Sequence, residues 1–187
     1  TDSLISSIDI SATILELAGA KKDKRVQGVS FAPILKDPKT KTRDFVFSEH
    51  NWHVFQAHER MVRWKNWMLI RNGYPDRQNL CMEGDPTYPA GKELWDMEAA
   101  GKLNKDQRDI FLKPRAALEL YDVTKDPHQL HNLAAEKEHA PVLSDLVRFL
   151  DRWAEDTGDT VPKDPTNDRQ DPYKKKYRNH KRGTMPG

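Results

Sequence analysis

The sequence predicts an α+β fold: a small four-stranded antiparallel sheet with a C-terminal helix packed across it. Three observations carry this. Short runs rich in β-branched and aromatic residues recur at Phe45-Val46-Phe47, Arg60-Met61-Val62-Arg63-Trp64, Trp67-Met68-Leu69-Ile70 and Leu118 to Val123, a composition that fits half-buried strands. Lys65-Asn66 separates the second run from the third by two residues, the spacing of a hairpin turn. Val142, Leu143, Leu146, Phe149, Leu150 and Trp153 then recur at helical spacing, which puts one apolar face on a helix over Pro141 to Asp156.

The elements follow in chain order. A first helix runs from Ser7 to Leu17, capped by Ser6-Ser7 or Asp9, with Ile10, Ile14, Leu17 and Ala18 as its apolar stripe and Gly19 as its stop. Lys21 to Arg25 is a basic, solvated loop, and Phe31 to Leu35 a short helical turn before the charged linker Lys36 to Arg43. Between Asn72 and Arg115 lies an insertion with a Pro- and Gly-rich loop and two short helices, Lys92 to Ala100 and Lys105 to Leu112. A structureless loop of that length does not suit a compact domain. The stretch Leu118 to Ala134, LELYDVTKDPHQLHNLA, encodes a strand, an Asp126-Pro127 turn and an Asn132-Leu133-Ala134 entry to the last helix. Trp153 and Phe149 belong to the core rather than to a ligand platform. From these elements three regions are expected: 1–44, the end of a larger domain with its linker; 45–157, a subdomain interrupted by the 73–117 insertion; and 158–187, a polar basic tail, extended or disordered.

Composition narrows the function classes. At 187 residues with 32% charged and 36% hydrophobic side chains, the chain has room for one modest core. A net charge of +2 does not call for nucleic acid, and no apolar run approaches the ~20 residues of a membrane span. Cys81 is the single cysteine, so no internal disulfide forms and redox compartment stays open. Thr1 in place of methionine reads as the start of a fragment, which leaves the parent's compartment unread. The basic run Tyr173 to Arg182 interleaves aromatics with cations; it is a solvated tail or a contact for a polyanion such as nucleic acid or an acidic glycan.

The densest polar group is Glu49-His50-Asn51-Trp52-His53 followed by His58-Glu59-Arg60. A zinc site lacks its spacing, since Val62 stands four residues after His58 where HExxH needs histidine. Two readings remain: a polar loop of hydrogen-bonded histidines, or recognition of an anion or sugar, for which histidine and a forked arginine donate to sulfate or carboxylate oxygens. Alternation puts His58 and Arg60 on one face and Glu59 on the other.

Three segments carry a family resemblance. Leu118 to Ala134 resembles the closing "ELYD…DP.E..NLA" of the type I sulfatases; Ser3 to Gly19, SLISSIDISATILELAG, is similar to their "S..D..PT.L.LAG"; and Gln27 to Leu35 is similar to the "G.SL.P.L" that follows it. The order His50, Arg60, Trp67 to Asn72 looks most like the heparan N-sulfatase (sulfamidase) branch. The resemblance covers Ser3 to about Thr157. It implies the C-terminal subdomain of the alkaline-phosphatase-like sulfatase fold, in a parent that hydrolyses sulfate esters or sulfamates of sulfated sugars with calcium and a formylglycine nucleophile, in the periplasm or outside the cell. It also implies His50, His53, His58 and Arg60 as substrate contacts. The "C/S-x-P-x-R" motif from which formylglycine is made is missing, since Cys81 is followed by Met82-Glu83-Gly84-Asp85. On that reading this chain holds neither nucleophile nor metal, is inactive alone, and needs the rest of the sulfatase, or a second copy, to cover its first helix. Two rivals stay open: a stand-alone polyanion-binding module, and part of a phosphoester hydrolase of the alkaline phosphatase superfamily.

Overall fold

The computed structural model describes residues 1–51, 55–78 and 86–163, and the backbone of 170–171 and 176–177. Four strands, β1 (Phe45–His50), β2 (Glu59–Trp64), β3 (Trp67–Asn72) and β4 (Leu118–Asp122), form one antiparallel sheet in the order β1-β2-β3-β4. This is the expected α+β sheet, with β1, β2 and β3 each extending past the apolar residues that announced them. β1 and β2 run on into Ser48, Glu49, His50 and Glu59, and β3 into Arg71 and Asn72. Backbone pairing, which is indifferent to side-chain polarity, carries them there. Lys65 at φ 53° makes the hairpin turn.

Cross-strand partners define two faces. Phe47↔Val62, Val62↔Leu69 and Leu69↔Leu120 share one, and helix α4 (Ala140–Thr157) lies over it. Val62, Leu69 and Leu120 interlock there with Leu146 and Leu150, all at 0–1% exposure. Phe149 reaches Phe45 and Trp64 at ring centroids 5.1 and 5.7 Å, and Trp153 stacks on Phe47 at 5.7 Å. Phe149 packs on the core as its spacing implied, and Trp153, half-buried, extends the same face by its stack on Phe47.

Helix α4 starts one residue before Pro141, which sits in its first turn, and Gly158 follows its end in the left-handed conformation. Proline loses nothing where no helical acceptor exists for its missing N–H, and glycine enters that backbone region without strain. The Asn132-Leu133-Ala134 segment covers the free edge of β4. Asn132 Oδ1 accepts from Leu120 N at 3.0 Å, Asn132 Nδ2 donates to Leu118 O at 3.1 Å, and Leu133 N donates to Leu120 O at 2.8 Å. An edge strand otherwise offers unpaired backbone to another chain.

The β4 exit turn is held by Asp122, whose carboxylate accepts from Thr124 N at 3.2 Å and Thr124 Oγ1 at 2.7 Å. Burial opposes its charge, but the bonds from Asn66, Thr124 and Lys125 outweigh burial and set its pKa at about 2, below the ordinary 3.8. A lowered carboxyl pKa stabilises the fold fully above the unfolded value and loses that contribution as pH falls toward the folded one. Stability should therefore decline between about pH 4 and pH 2, and Asp122→Asn should flatten that decline in acid titrations of the melting temperature.

Helix α1 (Asp9–Leu17) and the short α2 (Ala32–Lys36) pack on each other. Gly19, at φ 64°, ends α1 as expected, and the apolar stripe is left uncovered in this segment, also as expected. Asp9, Ala12 and Thr13 are buried, whereas Ile10, Ile14 and Leu17 are 51–62% exposed. The cap differs: Ile8 precedes the helix with no side-chain cap, and Asp9 receives Ser6 N at 2.9 Å. Asp9 further accepts Val29 N at 2.8 Å and the Arg43 guanidinium. Burial works against that charge, and the bonds from Arg43, Ser6 and Val29 prevail to hold the carboxyl below its ordinary range. Gly28 packs against the same turn, where a Cβ would lie 2.1 Å from Ile8 O. The aspartate of the first motif and the glycine of the second are thus two halves of one junction.

The insertion contains α3 (Pro89–Ala99) and one 3-10 turn, Asp109–Phe111, in place of the expected second helix. Gln170–Asp171 and Lys176–Tyr177 pair as two short antiparallel strands, β5 and β6. The rest of 164–187, with most of the basic run, lies outside the described residues, as do His53 and Cys81. Among the described residues no helix is long and apolar enough to cross a membrane.

Candidate functional site

The site candidates gather at the end of the sheet where β1 stops and β2 starts. His50 ends β1 on the sheet edge, its side chain 46% exposed, with ring Nδ1 2.7 Å from Glu59 Oε2. The register pairs these residues directly, so the contact follows from the strand alignment. Glu59 thereby fixes the orientation of the ring.

His58 and Arg60 sit on the opposite face, as alternation dictates, and both are buried, at 5% and 6% exposure. Arg60 forks onto Asp159, Nε to Oδ2 at 2.8 Å and Nη2 to Oδ1 at 2.7 Å, and donates from Nη1 to Glu59 O at 2.9 Å. Its guanidinium also lies 6.0 Å from the Trp153 ring centre. The Arg60 bonds hold Asp159 below the usual carboxylate range against its burial. His58 bonds Thr160 O through Nε2 at 3.1 Å, so this nitrogen carries the proton. Burial and the Arg60 charge push the His58 pKa down, leaving a neutral ring with a bare Nδ1. Gly73 lies close against that ring: a Cβ there would meet Nδ1 at 2.6 Å.

The four candidates therefore divide. His50 faces outward; His58 and Arg60 tie residues just beyond α4 to the sheet; His53 is outside the described residues. An arginine fork that already holds a carboxylate takes a sulfate only by releasing it. Sequence reasoning missed Asp159 and Thr160, because nothing in a polar stretch after a helix marks two residues as partners of a strand about a hundred positions earlier.

On the other face, at the same end of the sheet, Asn72, Glu119 and Tyr121 are buried. Glu119 Oε1 accepts from Asn72 Nδ2 at 2.7 Å and Arg115 Nη2 at 3.1 Å, and Oε2 accepts from Tyr121 Oη at 2.8 Å. Burial and the adjacent Glu119 charge push the Tyr121 hydroxyl well above its ordinary pKa, so it stays protonated and donates. A cavity beside this network is bounded by Glu59, Asn72, Tyr74, Arg77 and Arg115.

Among the described residues, Glu136, Glu138 and His139 bring metal-type donors together, the two glutamates exposed, with their carboxylates 3.6 and 3.2 Å from His139 Nε2. The formylglycine motif is missing from the sequence itself.

The C-terminal family of the N-sulphoglucosamine sulphohydrolases matches residues 1–87. An ulvan-active sulfatase of Formosa agariphila is 34% identical over 83% of this chain and 26% of its own length. The N-acetylglucosamine-6-sulfatase of Capra hircus is 30% identical over 70% of this chain and 22% of its own, and the human N-sulphoglucosamine sulphohydrolase 26% over 85% and 34%. The chain thus spans about a quarter to a third of the curated relatives it matches. Among solved structures, a 2-O GAG sulfatase superposes with TM-score 0.53 at 22% identity over 84% of this chain and 27% of its own. A protein solved with its substrate D-glucosamine-2-N,6-O-disulfate gives 0.53 at 18% over 83% and 25%. The sequence matches carry the family: the chain belongs to the sulfatases, and its residues 1–87 match the C-terminal model of the N-sulphoglucosamine sulphohydrolases.

Proposed function

We propose that this chain is the substrate-shaping C-terminal part of a hydrolase that removes sulfate from sulfated sugars, as esters or sulfamates. The sequence match to sulfatases along most of the chain carries the reading. Nucleophile and calcium belong to sequence outside it, so the segment alone is inactive. The exposed Ile10, Ile14 and Leu17 stripe then lies against the preceding part of the same polypeptide, and the parent works in the periplasm or outside the cell. In this arrangement His50, with His53 close in sequence, contacts the sugar from the sheet edge. His58 and Arg60 hold that edge from behind.

The decisive test is sulfate release by the full-length parent from N-acetylglucosamine 6-sulfate and glucosamine N-sulfate, with glucose 6-phosphate as the phosphoester control. Release of phosphate alone would sink the sulfatase reading. His50→Ala in that enzyme should lower kcat/KM about tenfold, the loss of roughly 1.4 kcal/mol from one exposed hydrogen bond to substrate, and leave the melting temperature in place. Unchanged kcat/KM removes His50 from the site.

A further inference from the structure

The cavity beside Glu119 has a volume of about 20 Å³, room for one oxygen-sized group. Three of its lining residues carry buried polar atoms with no partner: the acceptors His58 Nδ1 and Asn72 Oδ1 and the donor Arg115 Nε. The Asn72 and Arg115 side chains converge on Glu119 Oε1, and both line the cavity. The amide orientation is fixed, because Asn72 Nδ2 donates to Ala116 O and Glu119 Oε1, each at 2.7 Å; turned over, its oxygen would face two acceptors. Asn72 therefore presents a bare acceptor. Arg115, whose Nη1 reaches Asp109 O at 3.3 Å and whose Nη2 is held by Glu119, presents a bare N–H donor.

A buried polar atom without a partner is costly, so acceptors and a donor left open in one cavity define what belongs between them. The occupant must donate one hydrogen bond and accept another. Sulfate and carboxylate oxygens carry no proton, and an ammonium has no lone pair; a hydroxyl does both. The cavity also touches Glu59, the residue that holds His50, which places it next to the sugar edge.

We propose that Asn72 and Arg115 form a hydroxyl-reading subsite: a ring hydroxyl of the sugar enters the cavity, donates to Asn72 Oδ1 and accepts from Arg115 Nε–H, displacing a water that fills the seat in its absence. This rests on the reading of the chain as part of a sugar sulfatase.

Crystals of the full-length protein, with and without N-acetylglucosamine, test it directly. A water oxygen within about 3 Å of both atoms, replaced by a sugar oxygen after soaking, is the expected result. A water that stays while sugar binds elsewhere, or an empty seat, overturns the subsite. In solution, Arg115→Lys keeps the positive charge facing Glu119 but has no Nε–H. The KM for N-acetylglucosamine 6-sulfate should rise about tenfold, with kcat within a factor of about two; an unchanged KM also overturns it. Wild-type sulfate release together with such a failure sinks the subsite alone. No release from any sulfated sugar sinks the functional reading, and the soaked crystal still decides the seat.

Discussion

Arg60→Ala should destabilise the fold by about 3 kcal/mol, the order expected when one member of a buried, bidentate ion pair is deleted. The Arg60 side chain is 7% exposed and its partner Asp159 16%, so the stranded carboxylate regains little water. Arg60 also supports Glu59 O and the Trp153 ring, and those contacts go with it. Asp159→Ala should cost a similar amount, and the double variant little more, because each single change already destroys the shared interaction. Urea unfolding of the four proteins gives that cycle. Additive losses would mean that the pair is not one unit. The same set separates the two roles the residue can have. If Arg60 positions the edge, Asp159→Ala lowers kcat/KM along with it; if Arg60 itself grips an anion, Asp159→Ala frees the fork and preserves or raises activity.

Leu146→Ala should cost about 3 kcal/mol as well, through a cavity rather than a charge. Leu146 is at 0% exposure and completes the cluster with Val62, Leu69, Leu120 and Leu150. Three of these neighbours, Val62, Leu69 and Leu120, are strand residues held by backbone pairing, which limits how far the hole can close. Leu146→Met, nearly conserving volume, should cost less than about 1.5 kcal/mol. Equal losses for the two variants in thermal or urea unfolding would place the helix off the sheet. Leu143→Ala, at the half-buried rim of the same helix, should fall between them and serves as the internal scale.

Much of the sheet could be read directly because its information is local. The β-branched and aromatic runs, the two-residue Lys65-Asn66 spacing and the apolar repeat of the last helix each act within a few residues. The strand order β1-β2-β3-β4 follows the chain, so no crossover had to be inferred. The helix α1 stripe shows where local reading stops. Apolar residues at helical spacing mark a face but not what covers it, and here the buried side is the one with Asp9 and Thr13. Their polar atoms are satisfied by Arg43, Val29 and Phe31, 18 to 34 residues away.

Local patterns were enough for the fold class, the four strands of the main sheet and the helices that flank it, though not for the 3-10 turn at Asp109–Phe111 or for β5 and β6, and three short segments pointed to the family. What the polar residues do depends on long-range packing. Strand alternation put Arg60 and His58 on one face and Glu59 on the other. Which of them meets solvent depended on Asp159 and Thr160 arriving from the end of α4, and on Arg115 and Glu119 meeting Asn72 from across the insertion. Hydrophobic periodicity is repeated many times and survives the loss of any one residue. A buried ion pair or an unfilled hydrogen bond is a single meeting of distant groups, and no local pattern records it.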